Sequence, residues 1–195
     1  MSDINVTIAE LGPATGLLLS AEIDIDIADD GTFADFCLTN TTPTSVSNPD
    51  PLIDQLLFNL ATFDSTQTQL AISLVTYIPA GGTPVAGDWS FFDSSGSPPN
   101  GFDHNSGGCG LFQYLVDENP STPDHRLHSG DTLCFRLSVI NPALNPTLRF
   151  TEDTFLNAPP AQNGDSQVAV SFQQLGPGGG GSDCIDGDFE ENGEE

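Results

Sequence analysis

The sequence predicts an all-β protein, an antiparallel two-sheet β-sandwich of jelly-roll type with about eight strands. Three observations support this fold class. The 195-residue chain is interrupted at short intervals by 15 prolines and 20 glycines. Threonine, valine, isoleucine and phenylalanine dominate the segments between them, and helical periodicity is almost absent. Short β-prone segments separated by turn residues are typical of sandwiches and barrels.

The clearest strand covers Leu17–Ile27, where isoleucines alternate with acidic residues. Because side chains of a strand alternate between its two faces, this strand has one buried face and one acidic face. Asp29–Gly31 then forms a hairpin turn, and Thr32–Asn40 returns as the partner strand. Further strands are predicted at Ile53–Ala61, Gln69–Ile78, Leu111–Val116, Thr132–Ile140, Leu148–Phe150 and Gln167–Leu175.

The sandwich domain is predicted over residues 1–175, followed by a Gly-rich linker and an acidic tail over residues 176–195. The tail combines low hydrophobicity with a run of acidic residues, a composition typical of flexible segments. Residues Met1–Gly16 are predicted to form a second flexible end. Pro79–Gly110 is predicted to be a long loop between strands.

Charge is the most unusual property of the chain. It has 28 acidic residues, three arginines and no lysine, with a formal net charge of −25. Self-repulsion opposes the compact state in dilute buffer, whereas at molar salt the Debye length falls to roughly 3 Å and the repulsion is screened. The composition therefore predicts adaptation to high salt; the alternative is a calcium-loaded surface protein.

The same charge balance excludes two classes of partner. Nucleic-acid binding requires a basic surface that neutralises phosphates, and three scattered arginines do not supply one. An anionic membrane surface would repel the chain, and no segment reaches the ~18–20 apolar residues of a membrane span. We therefore expect no nucleic-acid and no membrane partner.

Four cysteines, Cys37, Cys109, Cys134 and Cys184, allow three complete pairings. Their spacing matches no zinc motif. Disulfides formed in an oxidising compartment are the preferred interpretation, and buried free thiols are the alternative. This favours an extracellular, cell-surface or virion-surface location.

Two groups of carboxylates are candidate calcium ligands, since calcium prefers oxygen ligands arranged around a turn. No other cofactor is expected, and hydration of the surface is the alternative role for both groups. The first group lies on the first strand and its turn, and the second lies in the tail: Asp24, Asp26, Asp29 and Asp30, then Asp183, Asp186 and Asp188.

The three histidines are weaker candidates for a transition-metal site. His125 and His128 are separated by two residues, and Asp103 and His104 lie together in another loop. Imidazole and carboxylate groups suit such metals, although this spacing is common by chance. Solvated loop histidines are the alternative.

The aromatic residues Trp89, Phe91 and Phe92 lie in the predicted loop Pro79–Gly110. They are candidate binding residues for a glycan or a protein partner, since aromatic side chains serve both purposes. The alternative is that they anchor the loop to the core.

Catalytic motifs are missing from the sequence. It contains no Gly-x-Ser-x-Gly elbow and no lysine, and the glycine run at 178–181 precedes no helix. We therefore expect no enzyme. The preferred hypothesis is a structural subunit that self-associates into a filament, coat or capsid-associated layer, with either flexible end adding a strand to a neighbour. The alternative is a monomeric secreted binding module that recognises a glycan or surface partner through residues 79–110.

Five short stretches of the chain share features with a known group of proteins: Leu38–Thr41, Leu56–Leu60, Gly110–Tyr114, Ser129–Asp131 and Val168–Pro177. In these stretches the chain resembles the β-rich exported proteins that often carry a PEP-CTERM sorting tail. The resemblance implies a secreted or surface-displayed β-sandwich without an established enzymatic role. The chain lacks the secretory signal and the sorting motif of that group, so anchoring by that route is not expected.

Overall fold

The computed structural model describes residues 2–95, 101–105, 108–119 and 125–191. Within this part of the chain, strands form two main antiparallel sheets and one short helix is present. The predicted all-β fold with two packed antiparallel sheets is confirmed. The described strands exceed the predicted eight, because both chain ends and the predicted loop Pro79–Gly110 also contribute strands.

Sheet A has seven described strands in the spatial order β14-β1-β2-β3-β11-β5-β6. In chain order they are β1 (Ser2–Leu11), β2 (Leu18–Ile27), β3 (Phe33–Asn40), β5 (Leu70–Ile78), β6 (Val85–Ala86), β11 (Thr132–Val139) and β14 (Glu190–Glu191).

Sheet B has five described strands in the spatial order β13-β12-β4-β10-β7. In chain order they are β4 (Leu52–Phe58), β7 (Trp89–Asp93), β10 (Tyr114–Glu118), β12 (Val168–Leu175) and β13 (Gly181–Gly187). A separate pair joins β8 (His104–Asn105) to β9 (Leu111–Phe112), and α1 covers Glu152–Leu156.

The core lies between the sheets and is built by the alternation that the sequence shows. In β2, Ile23 and Ile25 are almost fully buried, and the acidic residues between them face outward. Aromatic rings pack within and between the sheets: the Phe36 ring of β3 lies 5.6 Å from the Phe58 ring of β4 in sheet B, and 4.9 Å from the Phe135 ring of the neighbouring strand β11. Burial of such rings is the main stabilising contribution in a sandwich core.

The predicted flexible ends are wrong for the described residues. Ser2–Leu11 forms β1, paired along its length with β2. Gly181–Gly187 forms β13, paired with β12, and Ile185 is fully buried. Although the tail is acidic overall, its apolar residues Cys184, Ile185 and Phe189 are buried and pack against the core.

Two further predictions need correction. The segment Pro79–Gly110 is not one loop, since it contains β6, β7 and β8. Leu148–Phe150 is not a strand, although the Phe150 N–H donates to the Gly31 carbonyl at 2.8 Å and its ring is buried. This contact fixes the predicted hairpin turn, where Gly31 has a φ of 65°.

All four cysteines are paired, which confirms disulfides over free thiols. Cys37 and Cys134 are directly opposite residues on the neighbouring strands β3 and β11. The second bond joins Cys109 to Cys184 of β13, beside a small second core on the outer face of sheet B. One disulfide therefore crosslinks the middle of sheet A, and the other fixes β13.

Candidate functional site

One lateral side of the sandwich contains a groove where the two sheets end. It has a volume of about 400 Å³ and lies between β5 of sheet A and β7 of sheet B. We call this groove and the edges beside it the open side. The groove is lined by Thr68, Leu70, Ala71, Ile72, Phe91, Phe92, Asp93 and Ser95.

The edge of β5 is open over part of its length. Its neighbour β6 pairs only with Thr76 and Tyr77, and the Gly87 N–H covers the Val75 carbonyl at 2.9 Å. Within the described chain, no strand pairs with the outer edge of Leu70–Leu74. Unpaired N–H and C=O groups of such an edge are a template for another strand.

The open part of β5 ends at a β-bulge. Opposite Cys134 and Arg136 of β11 the register shifts, and Leu74 takes a left-handed backbone conformation with a φ of 53°. This region is unfavourable for a bulky residue. The Leu74 side chain is 66% exposed, so the bulge presents an apolar side chain at the surface.

The second edge of the groove belongs to β7, which pairs with β10 and with no other described strand. Its three aromatic residues, which the sequence predicts to be binding residues, differ in how exposed they are. Trp89 is buried, and its Nε1–H donates to the His125 carbonyl at 3.0 Å. Phe91 stacks on Tyr114 at 5.8 Å, whereas Phe92 is 46% exposed. Phe92 is therefore the member of the three that is most available at the surface.

The open side differs from the rest of the chain in its charge. Residues 65–87, which include all of β5, contain no charged residue. Asp93 is the one charged residue among those that line the groove. Sequence reasoning missed this site, although a scan for uncharged stretches in so acidic a chain would have found it.

The first group of predicted calcium ligands lies on the outer face of sheet A. Asp24 accepts a hydrogen bond from the Asn5 amide at 2.5 Å. Asp26 lies opposite Asp35, whose carboxylate is paired with Arg136 at 2.7 Å by two hydrogen bonds. At the turn, hydrogen bonds from Thr32 lower the pKa of Asp30.

The three carboxylates of the second predicted calcium group make separate contacts. The buried Asp183 carboxylate accepts hydrogen bonds from the Ala14 N–H, the Thr15 N–H and the Thr15 hydroxyl, at 2.7 to 3.2 Å. Asp188 accepts one from the Gln167 N–H at 3.1 Å. The Asp186 N–H donates to Glu10, whose pKa is raised chiefly by burial.

Metal ligation thus gains no support from these positions. Among the residues that the structure describes, no group of three or more His, Cys, Asp or Glu side chains converges to hold a metal ion. Asp29, Asp30 and the other carboxylates of the two groups remain candidate calcium ligands only as predictions, which a binding measurement would test.

The histidines also lie in separate contacts. The His125 ring is buried and stacks on Tyr77 at 4.9 Å. His128 Nδ1 lies 2.7 Å from Asp50, and His104 on β8 lies 3.4 Å from Asp103. The three histidines therefore lie in separate contacts, and the His125 Nδ1 and His104 Nε2 atoms are buried without a hydrogen-bond partner among the described residues.

One carboxylate has a strongly perturbed titration. Asp54 lies at a bulge in β4, and its Oδ1 atom is buried without a hydrogen-bond partner among the described residues. Burial raises the pKa of Asp54 to about 6, which a Ser171 hydrogen bond opposes and the nearby Asp117 carboxylate increases. Burial also raises the pKa of Asp117.

Comparisons of the chain with protein-family models, curated proteins and solved structures found no match. In the described residues, no helix is long and apolar enough to cross a membrane.

Proposed function

We propose that this protein is a non-catalytic structural subunit of an extracellular or virion-surface assembly that works in high salt. The observation that carries the proposal is the use of its buried polar groups. In the described chain, the buried carboxylates of Asp131 and Asp183 each accept several hydrogen bonds that hold loops and turns in place.

Asp131 is the clearest example. Its carboxylate accepts hydrogen bonds from the Tyr77 hydroxyl at 2.6 Å, the Ala80 N–H at 2.7 Å and the His128 N–H at 3.0 Å. A buried carboxylate that accepts three hydrogen bonds stabilises the folded chain. Asp183 plays the same part at the other side of the molecule, where it fixes the turn between β1 and β2.

The two disulfides support a role outside the reducing cytoplasm. They close chain segments separated by 97 and 75 positions, which stabilises the fold chiefly by restricting the unfolded chain. A robust, acidic and crosslinked domain is suited to a coat or filament exposed to concentrated salt.

In this proposal calcium bridges neighbouring copies, since clustered carboxylates on two acidic surfaces offer it oxygen ligands. The alternative function is a monomeric binding module that uses the segment 79–110. The exposed Phe92 favours that alternative, whereas the buried Trp89 does not contribute a surface for it.

Light scattering coupled to size exclusion tests the proposal. We expect a monomer of 20.5 kDa in dilute buffer and larger species at about 3 M salt, because repulsion between acidic copies is then screened. Parallel runs with calcium and with a chelator, and negative-stain images, separate calcium bridging from screening. A monomer under every one of these conditions would contradict the proposal and favour the binding module.

A further inference from the structure

We propose that the open side is the surface on which a second copy of this chain docks, through pairing at the β5 and β7 edges. This inference rests on the proposed function and names the contact by which the copies associate. Three observations support it: an available backbone, a β5 edge without charged residues, and the lack of a competing strand among the described residues of the same copy.

The available backbone is the first step. The open edge of β5 spans Leu70–Leu74, of which Leu70–Ser73 supplies about 13 Å of chain before the left-handed Leu74, and β7 presents its own outer edge across the groove. Main-chain hydrogen bonds of an edge accept any extended partner, and side chains beside the edge select it. Two exposed apolar side chains lie beside these edges: Phe92 lines the groove, and Leu74 lies at the bulge where the open part of β5 ends.

The charge is the second step and identifies the partner. A second copy carries the same net charge of −25, so it is repelled most strongly where acidic residues face each other. Residues 65–87 offer it a stretch without a charged residue. A basic partner would instead bind the acidic outer face of sheet A, where Glu22, Asp24 and Asp26 project.

The third step concerns the strands that could fill the groove from within the same copy. The described N-terminal strand β1 is already paired with β2, and β13 is already paired with β12. The earlier hypothesis that a flexible end is donated to a neighbour would require one of these pairings to break. Edge-to-edge docking leaves each copy intact.

The test places a carboxylate on the open side. Ala71→Glu changes an exposed groove residue, and Leu74→Glu changes the exposed residue of the bulge. Each introduces a like charge at the contact, and we expect the association constant at high salt to fall by about 100-fold. Light scattering over a concentration series gives this constant.

The sequence offers matched controls on the opposite side of sheet A. Ala9 is an exposed alanine of β1, and Leu11 is 66% exposed, equal to Leu74. Ala9→Glu and Leu11→Glu therefore add the same charge to similar surface positions, and association should stay within about twofold of the unmodified chain. Thermal unfolding of all four variants verifies that each is folded.

Hydrogen exchange gives an independent readout that does not depend on a variant. In the associated state, amides of Leu70–Leu74 and of β7 should gain protection relative to the monomer, and those of β14 should not. Two outcomes overturn the inference. If the chain associates but the Glu variants of Ala71 and Leu74 associate as well as their controls, the docking surface is elsewhere and the proposed function stands. If the unmodified chain remains monomeric at every salt concentration, both proposals fail and the groove belongs to a different partner.

Discussion

The two lateral sides of the sandwich differ in the charge of the strands that end their sheets. On the open side, β5 and β7 present unpaired edges around a groove lined mainly by uncharged residues. On the other side, which we call the closed side, β1, β13 and β14 lie together. The carboxylates of the closed side accept hydrogen bonds from the backbone. Glu10 accepts one from the Asp186 N–H, and Asp183 accepts them from the N–H groups of Ala14 and Thr15 in the turn.

The difference matches what is known of how proteins manage sheet edges. Very short edge strands and charged side chains prevent pairing with another molecule. Both sides end sheet A in a two-residue strand: β14 pairs only with Ile4 and Asn5 of β1, and β6 pairs only with Thr76 and Tyr77 of β5. They differ in charge, since β14 consists of Glu190 and Glu191, whereas β5 and β6 contain no charged residue. Charge, more than strand length, therefore distinguishes the protection of the two edges.

The largest effect is expected from breaking the covalent bond of the closed side. Replacing both Cys109 and Cys184 by alanine removes a crosslink over 75 positions, and we expect the free energy of unfolding to fall by about 4 kcal/mol. Urea denaturation measures this loss. Hydrogen exchange should show the loss of protection concentrated in β13, while β5 changes little. Equal loss of protection in β13 and β5 would contradict the expectation that this disulfide stabilises the closed side alone.

A smaller effect is expected from the buried carboxylate of the closed side. Asp183→Ala leaves the Ala14 and Thr15 donors without their acceptor, which should destabilise the protein by about 3 kcal/mol. Glu190→Ala is the control, because it removes an acidic side chain that is exposed, and we expect a change below about 0.5 kcal/mol. Thermal unfolding of both variants makes the comparison. Similar losses for the two would mean that net charge, and not hydrogen bonding, controls this side.

The sequence predicted some of these features and not others for identifiable physical reasons. The alternation of Leu17–Ile27 was sufficient to predict β2 and its buried face, because the period of two is local information. The attachment of Gly181–Gly187 was not predictable in this way. It depends on pairing with β12 and on the bond to Cys109, which are distant in sequence.

The candidate site shows the same limit. Trp89, Phe91 and Phe92 were noticed as an aromatic run, but only strand pairing shows that Phe92 is the member most available at the groove. The neighbouring Leu70–Leu74 carries no motif at all. Its open edge results from the short length of β6, a property of the folded sheet that the sequence pattern does not contain.

The smallest effect concerns Asp54, a buried carboxylate that contrasts with Asp183. The Asp183 carboxylate accepts hydrogen bonds from four donors, whereas Asp54 Oδ1 has no described partner, and burial raises the Asp54 pKa from 3.8 to about 6. The folded state therefore binds this proton more strongly than the unfolded state. Its contribution to stability is most favourable below about pH 4 and is lost as the pH rises through about 6.

The substitution Asp54→Asn removes this ionisation, and we expect it to stabilise the protein by about 2 kcal/mol at pH 8. The full shift corresponds to roughly 3 kcal/mol, and burying the Asn amide offsets part of the gain. At pH 4 the variant and the unmodified protein should have nearly equal stability, because Asp54 is then protonated. Urea denaturation at both pH values measures the difference. A stabilisation that is independent of pH would show that Asp54 is not the titrating group and that its burial is compensated as fully as that of Asp183.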